Sequence, residues 1–261
     1  MSAIPLSAEK SPALLGYYGK VPVKGDFVGQ GLPRAFLDPW DGWLQEALGR
    51  SREQLGDGWL ASYLVSPIWH FALPAGLCGE WAVAGVLMPS VDRVGRYYPL
   101  MVAALLPEPV PPARLAAGAE VWYAQAETLA RSSLEESFDL ADFDALVARM
   151  DPPGAAPAEA GDAATAGPAA ADGGWRMALS STGGLAAAYA GIVDRQLASS
   201  YPRYSLWWSS GSDQVQPSFL VVVGMPRADG FSALLDGRWE KWNWASDGDG
   251  GGTAAAPLPW A

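Results

Sequence analysis

Two residue types that carry much metal and covalent chemistry are almost missing from this chain of 261 residues: it has one cysteine, Cys78, and one histidine, His70. A four-ligand His/Cys zinc cage and any two-histidine metal motif are therefore excluded, and no intramolecular disulfide can form. A lone thiol among apolar neighbours reads as inert, and such sparse cysteine fits a reducing compartment. Basic residues are scarce too, 17 Lys+Arg against 28 Asp+Glu, for a net charge of -11. That balance argues against nucleic acid, whose phosphates demand Lys and Arg, and against anionic membrane surfaces. The longest apolar runs, 97–107 and 219–226, fall well short of the ~20 residues that span a bilayer. The start of the chain lacks the basic segment and long apolar stretch of a signal peptide. The expectation is a soluble cytoplasmic protein with no membrane insertion, no metal and no cofactor.

Hydrophobic residues make up 50% of the chain and charged residues 17%, against about 25% charged in an average protein. This is a core-rich globular composition. Residues 151–174 break it: 19 of these 24 are Ala, Gly or Pro, and the four charges are all acidic. With nothing large to bury, this stretch reads as a flexible linker or insertion. Residues 246–261 read as a disordered tail. The main part, 1–150, and the later part, 175–245, are expected to complete one domain, because the later part has too few strands to stand alone.

Strands are predicted at 14–23, 68–73, 81–88, 97–106, 175–179, 204–208 and 219–223. The last is apolar at every position, as strands buried on both faces are. Asp38 followed by Pro39 suggests a helix start, with Trp40, Trp43, Leu44, Ala47 and Leu48 on one face and Gly49 at its end. A second helix spans 52–64, another follows Pro111 and Pro112, and a short one covers 140–150. In 184–198 the residues Leu185, Tyr189, Ile192, Val193 and Leu197 are expected to face inward. Strands interleaved with helices give the fold class: α/β, a three-layer sandwich with a central mixed sheet flanked by helices. Most of the 13 tryptophans sit at core spacing, with Trp40, Trp43, Trp69 and Trp207 as the core signature. The C-terminal group of Trp239, Trp242 and Trp244 suits either the core or a protein contact.

Two polar loops stand out. The first carries Lys20, Lys24 and Asp26 among glycines. It matches neither a phosphate loop, since Val21 follows Lys20 where Ser or Thr belongs, nor a dinucleotide fingerprint, since Arg34 takes the third glycine's place. It is either a tight turn capped by Asp26 or an anion cradle. The second carries Ser90, Asp92, Arg93 and Arg96 between two apolar strands. Its arginines suit a carboxylate or phosphate, and the plainer reading is a hairpin connection whose Asp and Arg pair with each other. These seven residues form the candidate partner-binding or anion-binding surface. His70 lacks a Gly-x-Ser-x-Gly elbow and reads as a packed histidine. No catalytic residue is assigned.

The same segments resemble a known family. Gly16-Tyr17-Tyr18-Gly19-Lys20-Val21-Pro22, Gly25-Asp26-Phe27, Leu32-Pro33-Arg34 and Asp38-Pro39-Trp40-Asp41-Gly42-Trp43-Leu44 are similar to the opening of TagF, a type VI secretion-associated family. Ser66-Pro67-Ile68-Trp69 and Met88-Pro89-Ser90-Val91-Asp92-Arg93-Val94-Gly95-Arg96-Tyr97-Tyr98-Pro99-Leu100 resemble its central motifs. Ser205-Leu206-Trp207-Trp208 and Gly224-Met225-Pro226 resemble its C-terminal part. The resemblance implies a cytoplasmic, non-enzymatic accessory protein of the type VI secretion machine. Such a protein would repress secretion post-translationally through a forkhead-associated (FHA) domain scaffold partner. It also implies a three-layer α/β fold, and it marks Asp92, Arg93 and Arg96 as signature positions without a chemical role. The alternative reading is a ligand- or phospho-anion-binding sensor, or a small enzyme, using the two loops. Oligomeric state is open.

Overall fold

A computed structural model describes residues 12–155, 184–201 and 203–245. The expected strand at 175–179, most of the expected linker and the expected tail lie outside the described residues.

The chain is mixed α/β. Strands β1 (Leu14–Gly19) and β2 (Val28–Gln30) open it, followed by α1 (Arg34–Leu55) and α2 (Trp59–Leu64). Next come β3 (Trp69–Leu73), β4 (Ala82–Met88) and β5 (Leu100–Leu106), then α3 (Pro112–Gly118), α4 (Glu120–Ser132) and α5 (Leu140–Ala148). The later part supplies α6 (Gly184–Ser200), β6 (Tyr204–Ser209), β7 (Ser218–Val223) and α7 (Ser232–Asp236). Seven strands form one sheet in the order β2-β1-β5-β4-β3-β6-β7. β6 pairs with β3 from His70↔Trp208 to Ala72↔Leu206, so the strands of the later part extend the sheet of the first.

Among the described residues every strand pairing is antiparallel, which corrects the expectation of a mixed sheet. Strands buried on both faces are common in parallel sheets, but β4 and β5, buried at every position, pair antiparallel, with apolar clusters covering both of their faces. On one face Val83, Leu87, Met101 and Leu105 join Phe36, Trp40, Leu44 and Trp207. On the other, Val86, Val102 and Ala104 join Leu115, Trp122, Ala126 and Phe143. β7 departs from expectation in the opposite sense: Leu220 and Val222 are buried, but Phe219, Val221 and Val223 are exposed.

Helix α1 starts earlier than Asp38. Pro33 is its N-cap, its carbonyl accepting from the amides of Phe36 and Leu37 at 3.0 Å each. Pro39 therefore lies inside the helix and cannot return a hydrogen bond to the preceding turn. Complete burial of Phe36 and Trp40 offsets that missing bond. Nor does Gly49 end α1. The Ser51 hydroxyl donates to the Leu48 carbonyl and accepts the Trp59 indole, so the helix runs on until Gly56 turns it at φ 54°.

Helix α6 rotates differently from expectation. Ala187, Ala188, Ala190 and Asp194 are buried, while Leu185, Tyr189, Ile192 and Val193 are exposed. Asp194 fixes this rotation by accepting the amides of Ala113 and Arg114 at 3.0 and 3.3 Å, which caps the start of α3. Alanines then face the neighbouring helix and permit close approach.

The aromatic core is continuous. Trp40 lies 4.8 Å from Phe71 and 5.0 Å from Trp43 between ring centres, and Phe71 lies 5.0 Å from Trp207. Gly85 makes room for this stack: a Cβ there would meet the Phe71 ring at 2.2 Å. Trp43 is half-buried against the cluster, Trp69 is buried and donates to the Leu234 carbonyl, and Trp239 packs edge-on to Trp69. The C-terminal tryptophans thus belong to the core margin.

Trp40→Ala removes the hub of this stack and is expected to cost about 3–5 kcal/mol, read as the shift in chemical denaturation. A loss below about 1 kcal/mol would show that the ring cluster is not the core.

Candidate functional site

The two polar loops meet at one end of the sheet. β1 ends at Gly19, whose φ of 148° and closeness to the Pro99 carbonyl leave no room for a side chain: a Cβ would meet that oxygen at 2.1 Å. This contact sets the next residue, Lys20, against the loop between β4 and β5. Lys20 Nζ lies 2.7 Å from Asp92 Oδ2, and both side chains are almost wholly buried. Arg96 Nε reaches the same oxygen at 2.7 Å, while the amides of Val94 and Arg96 donate to Asp92 Oδ1 at 3.0 and 2.9 Å. The backbone adds to this. Arg93 N–H donates to the Lys24 carbonyl at 2.8 Å, and the Arg96 guanidinium donates to the Gly25 carbonyl.

Ser90 completes the junction from below. Its hydroxyl donates to the Lys20 carbonyl at 2.7 Å, and the Tyr63 hydroxyl bridges its backbone, donating to its C=O at 2.8 Å and accepting its N–H at 3.0 Å. Burial alone would raise the Asp92 carboxyl. The hydrogen bonds from Lys20, Arg96 and Val94 outweigh it and hold the group well below the usual carboxylate range.

All seven candidate residues are therefore brought together, in two tiers. Lys20, Ser90 and Asp92 are buried and spent on one another. Lys24, Asp26, Arg93 and Arg96 are exposed. Asp26 caps its own turn by accepting the Phe27 amide at 2.8 Å. Among the described residues Lys24 and Arg93 have no ion-pair partner, and the Arg93 guanidinium lies over Gly25. Val23, Phe27 and Val94 on the same two loops are exposed by 38%, 40% and 64%. Of the seven residues, Arg96 also lines a cleft of about 590 Å³ shared with Arg52, Asp57, Trp59 and Tyr97.

A second polar cluster was not legible as a site. His70 on β3 and Glu127 on α4 share a 2.7 Å hydrogen bond at a cleft of about 750 Å³, and Arg131 grips the other carboxylate oxygen at 2.7 Å. Burial lowers the His70 pKa against the opposing pull of Glu127. Among the described residues His70 Nδ1 is buried and has no hydrogen-bond partner. Tyr123 and Trp208 flank the ring at 5.4 and 5.5 Å. No hydroxyl or thiol nucleophile among the described residues is hydrogen-bonded to His70. It is a packed histidine. Cys78 is buried, and burial pushes its thiol up to about 12.

The sequence profile of the TagF N-terminal domain, type VI secretion system-associated, matches residues 16–150. The chain belongs to the TagF family. The crystal structure of PA0076 from Pseudomonas aeruginosa PAO1 is similar to it at 36% identity and a TM-score of 0.69, covering 85% of this chain and 94% of that one. No curated protein matches it. The family match spans both polar loops, so the Lys20–Asp92–Arg96 junction lies within the TagF N-terminal domain. Among the described residues no helix is long and apolar enough to cross a membrane, and no group of three or more His, Cys, Asp or Glu side chains is placed to hold a metal.

Asp92 gives the TagF chain a specific acid sensitivity. A carboxyl depressed in the folded state contributes stability that is complete above its unfolded value, about 3.9, and is lost as pH falls through the folded value. The melting temperature is expected to be insensitive to this group above about pH 5 and to fall below about pH 4. Asp92→Asn should melt lower than the native chain at pH 7, with the gap narrowing as pH is lowered towards 3. A constant gap across that range would contradict it.

Proposed function

We propose that this TagF-family protein is a non-enzymatic, cytoplasmic regulator of type VI secretion. It represses the machine post-translationally by docking on an FHA-domain scaffold component. The observation that carries this reading is the outer tier of the loop junction. Lys24 and Arg93 have no ion-pair partner among the described residues, their backbones are joined by a hydrogen bond, and exposed Val23, Phe27 and Val94 lie on the same two loops. They sit on loops that Lys20, Asp92 and Arg96 lock from beneath. Cations among apolar side chains on a rigid support suit the margin of a protein interface.

A small-ligand enzyme or sensor would need these groups directed into one enclosed site. Instead Lys20 and Asp92 neutralise each other out of reach of solvent, which disfavours that alternative. The net charge of -11 leaves such a cationic knob conspicuous on an otherwise acidic protein. Four of the excess negative charges fall in 151–174 and two more in 246–261, so the rest of the chain is only mildly acidic.

The test is co-purification of the full chain with the FHA-domain scaffold from its own cells, paired with a secretion assay. The native chain is expected to recover the scaffold, and its deletion to raise secretion. Lys24→Ala with Arg93→Ala should leave the melting temperature within about 1 °C, since exposed side chains contribute little to stability, yet reduce scaffold recovery at least tenfold. Unchanged secretion on deletion together with no scaffold recovered would overturn the proposal.

A further inference from the structure

Arg52 and Arg96 come from different parts of the chain to line one cleft of about 590 Å³, which they share with Asp57, Trp59, Leu60 and Tyr97. Arg52 stands in the last turn of α1, where the helix dipole favours a cation. Its guanidinium carbon lies 4.3 Å from the centre of the Trp59 ring, and Nη2 donates to the Tyr97 carbonyl at 3.3 Å. The Arg96 guanidinium is held by Asp92 and by the Gly25 carbonyl. Both heads are therefore fixed by the fold before any ligand arrives, so less side-chain freedom is lost on binding.

Both arginines keep donors to spare. A guanidinium carries five N–H groups; Arg52 gives one nitrogen to the protein, and Arg96 gives Nε and Nη2. Among the described residues Arg52 has no ion-pair partner. Asp92 answers both Lys20 and Arg96, so one carboxylate faces two cations and a positive charge is left over. Arg52 adds a second, and Asp57 on the rim offsets one of the two. The cleft is thus cationic on a chain whose net charge is -11.

The walls of the cleft narrow the ligand further. Gly95 turns the chain at φ 82°, and a Cβ there would meet nothing within 4 Å, so bare backbone lies beside Arg96. Leu60 of α2 is exposed at the lip. Forked guanidinium donors match the two oxygens of a carboxylate. An apolar lip gives nothing to a bare inorganic ion, but it accepts the aliphatic stem of a glutamate or an apolar neighbour of it in a peptide.

We propose that this cleft takes a carboxylate side chain from an acidic segment of a partner protein, with the Arg52 and Arg96 guanidinium groups as the donors. The inference rests on the docking reading above, and adds to it the chemistry of the partner and a contact area beyond Lys24 and Arg93. Asp57 and the carbonyl end of α1 both resist an incoming anion. The attraction therefore comes from the two guanidinium groups, and it weakens as salt rises.

Fluorescence anisotropy of a labelled, end-capped hexaglutamate peptide against the full chain tests this, with hexaglutamine as the uncharged control. The native chain is expected to bind hexaglutamate and not hexaglutamine. Arg52→Gln should weaken binding at least about fivefold, and Arg52→Lys should weaken it by a similar factor because the charge stays but the fork is lost. Leu60→Asp, which touches neither arginine, should also weaken it, and Asp57→Asn should tighten it. Arg131→Gln on α4 should change nothing. Four results would overturn the proposal: no binding by the native chain, binding that ignores Arg52→Gln and Leu60→Asp, full binding by Arg52→Lys, or displacement of the peptide by inorganic phosphate more readily than by capped glutamate. Scaffold recovery separates this from the docking reading. Equal recovery by the native chain and Arg52→Gln contradicts the cleft alone, whereas peptide binding that depends on Arg52 with no scaffold recovered by the native chain contradicts the docking reading alone.

Discussion

The Asp92 side chain is fully buried, and an isolated carboxylate in such a place would take up a proton sooner than stay charged. It stays charged because Lys20 comes to it from the end of β1, and Arg96 from four residues along its own loop. One charge therefore ties the first strand of the chain to the β4–β5 connection, 72 residues away. Removing either Lys20 or Asp92 leaves its buried partner poorly compensated, which makes the pair costly to break whatever its net contribution to stability. The junction fixes where the loops meet, and the loops in turn fix where Lys24 and Arg93 stand.

The sheet makes the junction possible. β1 pairs with β5 from Leu14↔Leu105 to Tyr18↔Met101, which carries the end of β1 to the base of the β4–β5 loop. Gly19 permits the final close approach that no side chain would allow. The aromatic stack around Trp40 then holds α1 against the middle of the register, through Phe71 and Trp207. Fold and surface are linked by this one path: apolar burial sets strand register, register brings Lys20 to Asp92, and the neutralised pair supports an exposed cationic edge.

Much of this was legible in the sequence, for identifiable reasons. The strands β3, β4 and β5 are short apolar runs bounded by Pro or Gly, and Trp40, Leu44, Ala47 and Leu48 keep helical spacing, so local pattern sufficed. The pairing of Asp92 with Arg96 followed from proximity in the chain. What failed depended on contacts distant in sequence. The sheet was expected to be mixed because strands alternate with helices along the chain, whereas each pairing among the described residues is antiparallel, a matter of long-range pairing that local pattern does not encode. The rotation of α6 was misjudged because its register is set by Asp194 capping α3, a contact that hydrophobic spacing does not encode. The start of α1 was placed too late because Pro39 suits a first turn, and only the burial of Phe36 shows that the helix has already begun. The meeting of His70 with Glu127 spans 57 residues and two elements, with no motif to announce it.

The central claim is that the buried charges of the two loops act as a unit that supports the exposed edge. A double-mutant cycle measures this directly. Urea unfolding of Lys20→Met, Asp92→Leu and the double variant is expected to show strong coupling, the double variant being much less destabilised than the two single losses added together. Additive losses, within about 0.5 kcal/mol, would mean that Lys20 and Asp92 are held independently and that the junction does not organise the loops.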